Sequence, residues 1–181
     1  GICIFDDIVE FAGSASLPLF QHFLPFVLQY IGWNCLFNTL LLKPFYTGDG
    51  NPGVRQAAVY GIGLCAQFGG ENMAPLIPGK YLLNVMLFFL GEQQISVTFP
   101  LSDVLKRLGV VIAHGESRQP DNIHPTENAI AAWGRICQFQ PNATGDIGAA
   151  LSAWLSFLPV TEDNVESLVT YGQPAILSKR N

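Results

Sequence analysis

The chain has 181 residues, 49% of them hydrophobic and only 13% charged. That balance excludes intrinsic disorder, which needs low hydrophobicity and high charge. Nine basic residues against fourteen acidic ones give a net charge of −5, which argues against a nucleic-acid footprint and makes any charged partner a basic one.

The elements follow in chain order. The segment ICIFDDIVEF (2–11) reads as the end of a helix. No basic stretch precedes its apolar start, so no signal peptide is legible and the chain reads as an internal piece of something longer. From Phe11 to Leu42 run 32 residues without Asp, Glu, Lys or Arg, long enough to raise a transmembrane reading. Pro18 and Pro25, the scattered Gln21, His22, Gln29, Asn34 and Asn38, and the lack of flanking basic clusters argue against insertion. The apolar run from Tyr81 to Leu90 is too short to span.

Gly48-Asp49-Gly50-Asn51-Pro52 reads as a turn leading into a helix with proline at its start, and Gly69-Gly70 ends that helix. Between them Val54, Ala57, Ala58, Ile62, Cys65 and Ala66 form an apolar stripe at helical spacing. Only short pieces such as Ile95 to Phe99 look strand-like. Val104, Leu105, Leu108, Val111 and Ile112 make a second stripe. A helix opening at Pro125 carries Ile130, Trp133, Gly134 and Cys137, and Ile147, Leu151, Trp154, Leu155 and Leu158 form a fourth stripe. Cys3, Cys35, Cys65 and Cys137 form no Cys-x-x-Cys pair and read as reduced core thiols.

Three patterns suggest chemistry, and each has a plainer structural reading. Gly61-x-Gly63-x-x-Ala66 fits a dinucleotide fingerprint, but it lies inside a helical stripe rather than at a strand–helix turn, so close helix packing is the better reading. Asp6-Asp7 could be paired carboxylates, but without a histidine, lysine or metal-ligand partner nearby they read as a solvated or loop-bonded helix edge. His114, Glu116, His124 and Glu127 lack the spacing of a helical metal site and read as a loop. No residue stands in a recognisable nucleophile motif, so the chain reads as no enzyme, with no cofactor and no metal.

An all-helical chain calls for a search for repeats. Residues 54–68, VRQAAVYGIGLCAQF, overlay residues 125–139, PTENAIAAWGRICQF, at an offset of 71, so that Ala58 meets Ala129 and Gly63 meets Gly134. Phe11 lies 57 residues before Phe68. Setting aside 33–47 and 78–101, which are unlike their surroundings, reduces these spacings to 47 and 42, within the ~40–47 residues of a HEAT or armadillo unit.

With those two segments set aside, five pieces resemble the C-terminal HEAT repeats of the karyopherin-β (importin-β) family of nuclear import receptors. They are CIFDDIVEFAGSAS (3–16), FLPFVLQY (23–30), NPGVRQAAVYGIGLCAQFGGEN (51–72), TENAIAAWGRICQF (126–139) and AWLSFLPVTED (153–163). Val54, Arg55, Ala57, Ala58, Gly63, Ala129 and Gly134 carry the repeat motif. The resemblance implies an all-α fold: an α-solenoid of HEAT-type helical hairpins over residues 1–181, partial and uncapped, with two irregular insertions. The segments 33–47 and 78–101 have no counterpart in the family, and codons for Gly79-Lys80-Tyr81 can form a splice donor, so they read as retained introns. From about 167 to 181 the chain leaves the family pattern, ending VTYGQPAILSKRN in place of an amphipathic second helix.

The resemblance also implies a function carried by surfaces. A receptor of this family binds protein cargo with basic localisation signals, passes the pore on Phe-Gly nucleoporins and releases cargo to RanGTP. RanGTP binds mainly N-terminal repeats that are missing here. Such a protein moves between cytoplasm and nucleus, with no nucleic-acid partner and no membrane insertion. The second helix of each repeat lines the concave face, which makes Glu127, Asn128, Glu162 and Asp163 the candidates for basic cargo; they read equally as solvated helix starts. Arg55 is implied to bond near the turn of an adjacent repeat, with Asp49 or Asn51 as local acceptors. The alternatives are a HEAT scaffold without a transport role and a non-functional fragment of a mis-spliced gene.

Overall fold

A computed structural model of the chain describes residues 1–31, 50–70, 73 and 101–177. Among them are seven α-helices and no strand: α1 (Ile2–Ala12), α2 (Leu17–Tyr30), α3 (Pro52–Phe68), α4 (Leu101–Ala113), α5 (Ile123–Phe139), α6 (Ile147–Ser156) and α7 (Asn164–Leu177). The proposed insertions 33–47 and 78–101, Cys35 and the strand-like piece at 95–99 lie outside the described residues, apart from Leu101, which opens α4. No helix among the described residues is long and apolar enough to cross a membrane.

Local signals explain the ends of the helices. Asn51 caps α3 by accepting the N–H of Gly53 at 2.8 Å and that of Val54 at 3.4 Å, and Pro52 follows in the first turn, where its missing N–H costs nothing. Gly69 closes the same helix, with its N–H on the carbonyl of Cys65, and Gly70 turns the chain away at φ +60°. Asp146 caps α6 through the N–H of Ala149. Helix α5 begins at Ile123, two residues before the proline expected to open it. Pro125 is still within the first turn, where a backbone donor has no helical partner.

Helices α1, α3, α5 and α7 pack side by side in chain order, and α3 with α5 forms the largest interface. Helix α2 packs on α3, and both α4 and α6 pack on α5, so a second layer covers the first. This is an α-solenoid of stacked helical hairpins. Helices α3 and α5 each have a row neighbour on both sides and a cover above. That arrangement buries α3 from Gly61 to Ala66 and α5 from Pro125 to Gln138 without interruption, where a single apolar stripe predicts one buried face. The stripe of α4 is buried throughout. In the fourth stripe Trp154 is buried, but Leu155 is 55% exposed and Leu158 lies beyond the end of α6.

Two indoles fasten α5 to α6. Trp133 donates from Nε1 to the carbonyl of Ala150, and Trp154 donates from Nε1 to that of Ile130, both at 3.0 Å. The end of the chain differs from the sequence expectation. Residues 164–177 form a helix, and Tyr171 holds it down by donating to the Val160 carbonyl at 2.9 Å and accepting its N–H at 3.1 Å. The glycine and proline in VTYGQPAIL suggest a broken helix, but this contact and the packing on α5 outweigh their low propensity.

Candidate functional site

The four residues expected to meet basic cargo do come together, where α5 meets the loop leading into α7, but they divide into buried and exposed. Glu127 is 0% exposed and Asn128 3%. The Glu127 carboxylate accepts three successive backbone N–H groups: Thr161 at 2.8 Å, Glu162 at 3.2 and 3.0 Å, and Asp163 at 2.6 Å. Asn128 donates from Nδ2 to the carbonyl of His124 at 3.0 Å and to Asp163 Oδ2 at 2.8 Å. Asp163 in turn caps α7, its Oδ1 accepting the N–H of Val165 at 3.1 Å and of Glu166 at 3.0 Å. Glu127 and Asn128 are therefore not solvated helix-start residues. Glu162 alone is exposed, with its backbone held in place by Glu127.

Asp163-x-x-Glu166 has the spacing of a capping box, in which the glutamate would turn back to the cap. Here Glu166 points into the stack. Its Oε1 accepts from Arg135 Nη2 at 3.1 Å and its Oε2 lies 3.0 Å from Arg135 Nη1, one hydrogen bond within an ion pair buried on both sides. Burial raises the Glu166 pKa above its ordinary value, Asp163 and Glu10 add to the rise, and the Arg135 guanidinium opposes it. The guanidinium also lies over the ring of Tyr60, 5.6 Å from its centre. The Tyr60 hydroxyl is hydrogen-bonded to Glu10, and burial, with Glu10 second, pushes its pKa up to about 12. Glu10 on α1, Tyr60 on α3, Arg135 on α5 and Glu166 on α7 thus form one polar row across the four stacked helices.

Arg55, 1% exposed, donates from Nη2 to Asn122 Oδ1 in the turn that opens α5. The resemblance to HEAT repeats implies this reach to the adjacent repeat, and the side chain of Asn51 is engaged as the α3 cap. Other junctions are tied similarly. Gln140 donates from Nε2 to the carbonyls of Ala66 and Gly70, both at 2.9 Å, and Arg107 donates from Nη1 to the Leu28 carbonyl at 2.8 Å. The repeat motif supplies the close approach. Ala58 and Ala129 are fully buried, Val54 and Ala57 half-buried, and Gly134 buried. A Cβ on Gly63 would stand 3.1 Å from the Ala132 backbone, so the glycine lets α3 and α5 touch.

That contact is what the apparent dinucleotide fingerprint serves. Gly61 is likewise occupied from outside, with the Asp6 carboxylate against it. Asp6 is 4% exposed and Asp7 exposed, so the two are not a solvated pair. His114 accepts the N–H of Glu116 on Nδ1 at 3.2 Å, and His124 Nδ1 stands 4.0 Å from Asp163 Oδ2. No group of three His, Cys, Asp or Glu among the described residues could hold a metal ion. Cys65 and Cys137 are buried free thiols, whereas Cys3 is exposed rather than part of the core.

The described residues therefore form a stack of helices fastened by buried polar junctions. Over 164 residues, 90% of the chain, it is 27% identical to a protein of Dictyostelium discoideum described as a probable importin-5 homolog. The chain resembles an importin. It spans 12% of that relative's length, so the likeness is to one stretch of a much longer protein. No protein-family model matches it. Sequence reasoning missed the row from Glu10 to Glu166 because its members lie on four helices far apart in sequence. The available signals were Arg135 set within an apolar helical stretch and the capping-box spacing of Asp163-x-x-Glu166.

Proposed function

We propose that this chain is a segment of a nuclear import receptor that acts by protein–protein contact. The observation that carries the reading is the 27% identity to a probable importin-5 homolog over 90% of the chain, joined to a stack of helical hairpins of the kind such receptors need. The partner is a protein with a basic localisation signal. The net charge of −5 supports it, as an acidic surface draws a basic segment by long-range attraction.

In this reading Glu162 is the cargo-facing carboxylate. Glu127, Asn128 and Asp163 fix the loop that presents it. RanGTP acts mainly through repeats outside this chain, and Phe-Gly nucleoporins are met during passage between cytoplasm and nucleus. The segments 33–47 and 78–101 are read as retained introns in an importin-like sequence, and residues from about 167 as a divergent tail. Titrating a labelled basic-signal peptide with the purified chain tests the cargo assignment. Saturable binding that weakens with salt supports it, and binding equal to that of a neutral scrambled peptide refutes it.

A further inference from the structure

Asp6 lies where α1 meets α3, the first joint of the stack. Its Oδ1 is buried and has no hydrogen-bond partner. The place a Cβ of Gly61 would take is 2.2 Å from that oxygen. The carboxyl group therefore fills the notch that only glycine leaves on α3. Phe5 and Val9, its neighbours on the helix, are 1% and 0% exposed, so the site is walled by core. Among the described residues, the groups whose charge acts on Asp6 are Asp7 and Glu10 on α1 and the amino group of Gly1 just before it, and Cys65 faces it from α3. No guanidinium or side-chain ammonium is among them. An ionised carboxylate in such a place loses its hydration and gains no ion pair.

We propose that Asp6 is a neutral wedge between α1 and α3, so that the first joint of the stack is closed when its carboxyl is protonated and loosens when it ionises. Burial, then Asp7 and Glu10, pushes its pKa from 3.8 up to about 7, with the Gly1 amino group opposing. The closed joint holds the proton and the open joint releases it to water. Between about pH 4 and pH 7 the closed state binds more protons, so closure weakens as pH rises through that window, by up to about tenfold per pH unit. Below it the joint is tightest, and above about pH 7 it levels off at its loosest. The α5–α7 joint differs, because there Arg135 faces the buried Glu166.

The test uses the full chain. Carbon NMR of the Asp6 carboxyl gives its titration midpoint. Amide hydrogen exchange from pH 5 to 8.5, corrected for the intrinsic rate, compares α1 with α5. The expected result is a midpoint near pH 7, protection in α1 that falls at least about tenfold between pH 5 and 7.5, and unchanged protection in α5. Asp6→Asn, neutral at every pH, holds α1 at its low-pH protection up to pH 8. A midpoint near 4, flat protection in α1, or a wild-type pH profile in Asp6→Asn overturns the proposal. Should that variant not fold, the carboxyl midpoint and the wild-type exchange profile decide by themselves.

Discussion

The carboxylate of Glu127 accepts the backbone N–H of Asp163 at 2.6 Å across 36 positions of sequence. It also holds the N–H groups of Thr161 and Glu162, so one buried side chain on α5 shapes the whole approach to α7. Truncating it leaves three donors without an acceptor. Glu127→Ala lowers the stability of the chain by about 3 kcal/mol, read as a shifted midpoint in denaturant unfolding. Glu127→Gln turns an N–H₂ group toward those donors and is also destabilising, by about 2 kcal/mol.

The pair of Arg135 and Glu166 is buried on both sides, and breaking it differs from replacing it. Glu166→Ala leaves an uncompensated guanidinium inside the stack and costs about 3–5 kcal/mol. Replacing both partners with apolar residues of similar volume, Arg135→Met with Glu166→Leu, costs far less than the sum of the single changes. A double-mutant cycle on unfolding free energies measures the difference. Equal and additive losses would show that the pair is not a unit.

Alkali acts on the same region. Tyr60 is pushed from 10.0 up to about 12, chiefly by burial and then by Glu10, and burial lifts the Cys137 thiol from 9.0 to about 12. Both are neutral in the folded chain at pH values where the unfolded chain has ionised them. Their contribution is complete below about pH 9 and is lost as pH rises through about 12. Denaturant melts between pH 8 and 12 should show that decline, and Tyr60→Phe should flatten its portion above pH 10.

The apolar stripes and turn residues made the helices legible, since Asn51-Pro52 and Gly69 act through neighbours a few residues away. The stacking was legible only through the overlay of residues 54–68 on 125–139, because a repeat carries its neighbour's shape in its own sequence. The candidate site was legible as a location and not as an arrangement. Glu127 and Asn128 at a helix start look like solvated residues, and nothing local reveals that a loop more than thirty positions later buries them. Asp6 was misread for the same reason: the feature that receives it is Gly61, on another helix. The closing helix was missed because the chain departs from the family pattern there, while Tyr171 on Val160 and the packing on α5 support a helix from outside.

Under the proposed function the exposed carboxylate of Glu162 meets the basic partner, while the buried residues around it hold the fold. Fluorescence anisotropy with a labelled basic-signal peptide, run beside thermal melts, separates the two roles. The expected result is that Glu162→Gln weakens binding severalfold and leaves the melting temperature unchanged, whereas Asn128→Ala lowers the melting temperature. Unaltered affinity in Glu162→Gln, or no affinity for the peptide in the folded wild-type chain, would contradict it.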